Sequence, residues 1–191
     1  MKSIKIISLG TVFSFTLMLT LLLTACNESG NSVKTQSKID KPKVDIQTAI
    51  LSDQLEVVQQ HIKAGTDINK KEQMSGSTPL ISAATFGKTA IAKALIDADA
   101  DLSVKNNEGA TALHTAAFFG RVEIVQLLID AEADKTVKNN FGMTPRESVM
   151  GSFADMKPVY EMLQQQLSSL GLQLDLNEIE KNRSVIAMML Q

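Results

Sequence analysis

The chain has 191 residues, enough for one domain or two, and its 44% hydrophobic and 21% charged content is that of an ordinary globular protein. The net charge is −2, and setting aside the two lysines of the acid-free segment 1–25 leaves −4, so electrostatics gives no footing for a nucleic-acid partner. Tryptophan is absent and tyrosine occurs once while leucine, alanine, isoleucine and methionine abound, which favours an all-α core of aliphatic helices over a strand-rich one.

The first element is MKSIKIISLGTVFSFTLMLTLLLTAC, with Lys2 and Lys5 followed by an uncharged run from Ile6 to Ala25. That is the layout of a secretory signal, although its length also suits a transmembrane anchor. The end of the segment favours the signal: Leu23-Thr24-Ala25-Cys26 resembles the lipobox of bacterial lipoproteins. The resemblance implies cleavage before Cys26, whose thiol is the group that diacylglycerol alkylates to a stable thioether. It also implies acylation of the new N-terminal amine, and two or more chains, at about 0.8 kcal/mol per buried methylene, make a durable anchor. Asn27 follows in place of aspartate, which by resemblance to enterobacterial sorting favours the outer membrane if the organism has two. One cysteine allows no disulfide within the chain. Residues 26–43 continue as a polar tract, read as a tether holding the folded part on the order of 20 to 25 Å from the bilayer.

From residue 44 the chain repeats. Gly76, Gly109 and Gly142 recur at one spacing, as do Thr78, Thr111 and Thr144, and Gly87 with Gly120. The two central units are GSTPLISAATFGKTAIAKALIDADADLSVKNNE and GATALHTAAFFGRVEIVQLLIDAEADKTVKNNF. The threonines stand where a hydroxyl caps a first helix, and Pro79 and Pro145 occupy its first position, where no amide hydrogen is needed. Ala83-Ala84 and Ala116-Ala117 keep that helix thin, and Ile91, Leu95 and Ile96, or Ile124, Val125, Leu128 and Ile129, give a second helix its stacking face.

This pattern resembles the ankyrin-repeat family, in which a β-turn finger precedes two antiparallel helices. The resemblance implies an all-α solenoid over residues 44–163 in about four units. The first, Asp45 to Asn69, is an incomplete N-terminal cap, and the fourth departs from the pattern at Arg146 and Glu147. Residues 164–191 are then a C-terminal capping segment, with Asp175 and Glu178 at capping spacing. Asp99 and Glu132 stand where the family ends its second helix with glycine, as Gly65 does in the first unit, so both are expected in a left-handed conformation.

Asp97, Asp99, Asp101 and Glu108 match ligand positions of a twelve-residue calcium loop. Leu102, however, replaces the glycine which that loop requires, and the next unit carries Phe141 in place of Glu108. The acids are better explained as a helix end running into a finger, and a metal-binding or metal-regulated envelope protein built on Asp97–Glu108 is the alternative reading. Gly87-Lys88-Thr89 lacks the upstream glycine and strand of a phosphate loop. His114 completes the TALH motif, where the family's imidazole braces turns, and His61 is expected on an exposed face. Neither enzyme nor cofactor chemistry has a constellation.

By resemblance, partners bind along a concave surface of fingers and first helices. Its residues are Phe86, Lys105, Asn107, Thr115, Phe118, Phe119, Lys138, Asn140, Phe141 and Met143, together with Ser82 and Thr85. Phe118, Phe119, Phe141 and Met143 are candidates for one apolar patch, with burial of some rings under a neighbouring finger as the competing reading. The expected protein is a lipid-anchored, periplasm-facing interaction module for an envelope protein, with no small-molecule substrate.

Overall fold

In the computed structural model the described residues are 41–191, so the segment 1–25, Cys26 and the tether as far as residue 40 lie outside them. Helices come in pairs at the repeat spacing: α1 (Ile46–Leu51) with α2 (Leu55–Lys63), α3 (Pro79–Thr85) with α4 (Thr89–Ile96), and α5 (Ala112–Phe118) with α6 (Val122–Asp130). First helices stack in one row, α1 on α3 on α5, and second helices in another, α2 on α4 on α6. Among the described residues there is no strand, and the fold is an all-helical ankyrin-type solenoid.

The caps follow the sequence. Thr78 accepts a hydrogen bond from the Ile81 amide at 3.3 Å and Thr111 from that of His114 at 3.5 Å, so one orphan amide of each first turn is satisfied. Between the rows Leu80, Ile91, Leu95, Leu113, Ile124 and Leu128 are buried, each contributing about 1.5 to 3 kcal/mol of transfer free energy. Ala83, Ala84, Ala116 and Ala117 are also buried, which lets first helices approach closely.

Asp99 and Glu132 have φ of 58° and 61°, close to the 68° of Gly65, so these helices end in the left-handed turn that their phase requires. Asp53 adopts φ 56° between α1 and α2, a feature that the truncated first unit does not announce. His61 is buried, contrary to its expected exposure. Its Nε2–H donates to the Val44 carbonyl at 2.8 Å and its Nδ1 faces the Thr66 hydroxyl at 3.0 Å, because the chain entering α1 folds across α2.

The fourth unit is assembled differently. Thr144 begins it with a capping box, its hydroxyl accepting from the Glu147 amide at 3.2 Å while the Glu147 carboxylate accepts from the Thr144 amide at 2.7 Å. Glu147 thus does with a carboxylate what His114 does with an imidazole. A short α7 (Glu147–Met150) stacks on α5, and the chain then leaves the repeat to form α8 (Phe153–Leu167) and a 3-10 turn. It returns as α9 (Leu176–Met189), capped by Asp175, which accepts from the amides of Asn177 and Glu178. α9 packs on α7 and α6, the place that a second helix of this unit would take. The helix of the segment expected to cap the array thus packs as the fourth member of the second row. Ile186 and Leu190 join the main core, and Arg146 Nε donates to the Ala187 carbonyl at 3.1 Å.

Candidate functional site

The residues singled out as a single surface separate into two groups at opposite ends of the first helices. Lys105, Asn107, Lys138, Asn140, Phe141 and Met143 lie on the fingers that precede α5 and α7, whereas Phe86, Phe118 and Phe119 lie where α3 and α5 end. The seven-residue α5 between them is about 10 Å long, so Phe118 and Phe119 do not gather with Phe141 and Met143 into one patch. Thr115 sits midway and is buried, as is Ser82, and the hydroxyls of Thr115 and Thr85 donate to carbonyls of their own helices.

The helix-end group is covered from within the chain. Tyr160 of α8 is fully buried, its ring 4.7 Å from that of Phe118, and its hydroxyl donates to the Phe118 carbonyl at 2.7 Å. Phe119 meets Phe118 edge-on at 5.0 Å and is buried with Leu172, Leu174 and Ile179, while Phe86 packs against the same cluster. Arg183 of α9 is buried too, donating to the Tyr160 hydroxyl at 3.2 Å and to the Gly151 carbonyl at 2.8 Å. Burial pushes the Tyr160 phenol above its ordinary value, against the opposing pull of Arg183. Phe119 is buried and Phe86 and Phe118 are half-buried, as one reading of the sequence allowed for some of the rings, but beneath α8 and residues 172–179 instead of a finger. The signal available for this was the solitary tyrosine, in a segment where the repeat pattern fails.

The finger group is exposed and tied by hydrogen bonds. Asn106 Oδ1 closes its own finger by accepting from the Glu108 and Ala110 amides at 3.0 and 2.9 Å, and Asn139 does the same for Phe141 and Met143. The second asparagine of each pair ties one finger to the one before. Asn107 donates its main-chain amide to the Ser75 carbonyl at 2.9 Å and its side-chain amide to the Met74 carbonyl at 3.0 Å. Asn140 repeats this with the carbonyls of Glu108 and Asn107, both at 3.0 Å. The close approach requires glycine: a Cβ on Gly76 or Gly109 would lie 2.3 Å from the Oδ1 of the next asparagine. Lys105 Nζ reaches the Lys138 carbonyl at 3.0 Å. Asn107, Asn140 and Lys105 therefore hold the ridge together, while Phe141, 71% exposed, and Met143, 37% exposed, project from it. The sequence showed the KNN recurrence but not this division of labour within it.

His114 links finger and helix. Its Nε2–H donates to the Met143 carbonyl at 3.1 Å and its Nδ1 accepts from the Thr111 amide at 3.3 Å. Burial holds the imidazole below its ordinary value of 6.5, with the Lys105 charge acting in the same direction and the Met143 hydrogen bond against it. With both nitrogens engaged in each histidine, neither ring offers a free base for proton transfer.

Two of the acids of Asp97–Glu108 have separate local duties. Asp97 pairs with Lys93 at 2.7 Å, and Asp101 accepts from the Ser103 amide and hydroxyl at 2.8 and 2.6 Å. Asp134 makes the same turn with Thr136 one unit on, so the acid at this phase serves the repeat. In both, the hydroxyl partner lowers the carboxyl's pKa below its ordinary range. Among the described residues no group of three or more His, Cys, Asp or Glu side chains is placed to hold a metal ion. Nor, among them, is any helix long and apolar enough to cross a membrane.

The ankyrin-repeat family, in a description covering three copies, matches residues 46–139. Among solved structures, the ankyrin repeat domain of Bcl-3, described as a unique member of the IkappaB protein family, is similar at 28% identity with a TM-score of 0.52. The match covers 54% of this chain and 45% of that one, so the chain spans less than half the length of the domain it resembles. No curated protein matches the chain.

Proposed function

We propose, from the ankyrin repeats of residues 46–139, that this chain is a non-enzymatic protein-interaction module, held at a membrane by lipidated Cys26 and facing the periplasm. Ankyrin repeats imply such a module. The observation that supports this placement of the recognition surface is the finger row, a ridge tied by Asn107 and Asn140 from which Phe141 and Met143 project. A preformed ridge loses little conformational freedom on binding, and a tether confines it near envelope partners. The lipobox-like Leu23-Thr24-Ala25-Cys26 supports the anchor.

Two experiments test this reading. A photo-crosslinking residue at Phe141 in cells is expected to capture one envelope protein, whereas the same probe at Phe118 is expected to crosslink within the chain to α8. Capture from neither position, in cells that express the protein at natural levels, would remove the finger row from the proposal. Cys26→Ala is expected to move the protein from the membrane fraction to the soluble fraction; unchanged fractionation would remove the lipid anchor.

A further inference from the structure

The clamp that joins successive fingers is left open at one end of the row. At each internal junction a single asparagine donates its main-chain amide to one carbonyl and its side-chain amide to the carbonyl before it. The matching acceptors on the third finger are the carbonyls of Phe141 and Asn140. No described residue donates a hydrogen bond to either. The glycine seat is open as well: a Cβ on Gly142 would meet nothing within 4 Å, where its counterparts on Gly76 and Gly109 collide with an asparagine. Phe141 and Met143 stand exposed beside this seat.

We propose that this edge is a docking site for an extended segment of another protein carrying an asparagine, whose main-chain and side-chain amides donate to the Phe141 and Asn140 carbonyls while neighbouring apolar side chains cover Phe141. The inference rests on the reading of the array as a protein-interaction module and specifies what the module recognises. The occupant is not a second copy, because the first finger of the chain carries Met74 at the phase of Asn107 and Asn140 and so has no side-chain amide to place in the seat. The Asn107 and Asn140 amides are spent internally, and in the first finger the amides of Met74 and Ser75 donate to the Glu72 carboxylate, that of Met74 at 2.7 Å. The row is therefore closed at its first finger and open at its third. Edge recognition of this kind takes affinity from main-chain hydrogen bonds and specificity from the side-chain seat.

The test is an amide-resolved NMR titration of the intact protein with a backbone-cyclised peptide of the second finger's sequence, KNNEGA, whose second asparagine is unpaired once excised. Saturable shifts confined to residues 139–143 are expected. Replacing that asparagine by alanine should weaken binding about tenfold, as expected for one net hydrogen bond. Gly142→Asn, a residue tolerant of the left-handed backbone, should abolish the shifts by filling the seat. Absence of saturable shifts at roughly millimolar peptide, or equal binding by the alanine peptide, would overturn the proposal. If crosslinking from Phe141 captures a protein while the peptide leaves 139–143 unmoved, the module reading stands and the asparagine clamp falls. If neither gives a signal, both fall.

Discussion

In the third unit Gly120 turns the chain directly from α5 into α6, whereas in the fourth unit residues 151–175 intervene between α7 and α9. Yet α9 stacks on α6 as α6 stacks on α4. Isoleucine and leucine at the interface set the stacking position, and the connection between the helices does not. Loop closure grows only slowly in cost with length, so an insertion is tolerated if the returning helix carries the right face. Here the insertion also has work to do. Tyr160 and its neighbours close over Phe86, Phe118 and Phe119, rings that the repeat alone would leave at the surface. The result is a solenoid with one end of its first helices partly covered and the other, the finger row, open.

The comparison can be broken most forcefully in the two cores. Leu128→Ala in α6 and Ile186→Ala in α9 both empty fully buried sites and are each expected to cost about 2 to 5 kcal/mol in denaturant unfolding. A loss at Ile186 under about 0.5 kcal/mol would make α9 a loosely attached cap. Next comes Tyr160→Phe, which removes the hydroxyl bonded to Phe118 and Arg183 and is expected to cost about 1 to 3 kcal/mol. An unchanged midpoint would mean that this cover is held by apolar contact alone.

A smaller effect, of opposite sign, belongs to the regular repeat. Glu132→Gly relieves a left-handed residue and should stabilise the protein by about 1 kcal/mol, raising Tm by roughly 2 to 4 °C. A lowered Tm would show that the Glu132 side chain contributes more than its backbone strain costs. The smallest effect concerns pH. The unfolded chain protonates His114 near the ordinary value of 6.5, before the folded chain does. Stability from this site is therefore fully present above that value and is lost as pH falls through the folded one. Wild type should lose more stability than His114→Gln between about pH 7.5 and 5.5; parallel profiles would refute a buried neutral imidazole.

Much of the fold was legible because its causes are local and repeated. Thr78 and Thr111 cap their helices and Asp99 and Glu132 turn left-handed, all from phase alone. His61 and Asp53 were not legible, since the first unit lacks the finger that fixes phase and the Val44 carbonyl that buries His61 comes from outside the pattern. The finger row was legible as a location. What it hid was that Asn107 and Asn140 face the neighbouring finger, a role visible only once each asparagine and a carbonyl one unit before it are brought together. For Phe118 and Phe119 the sequence left exposure and burial both open, because the outcome depends on Tyr160, which lies 42 residues after Phe118 in a segment without repeat character and bonds to the Phe118 carbonyl.

Native-state hydrogen exchange tests most directly whether α9 completes the second row. The amides of α9 around Ile186 are expected to exchange with the same opening free energy as those of α6 around Leu128, while the exposed face of α8 around Met162 exchanges more readily. Exchange of α9 at a much lower opening free energy than α6, in step with α8, would contradict it and return residues 164–191 to a detachable cap.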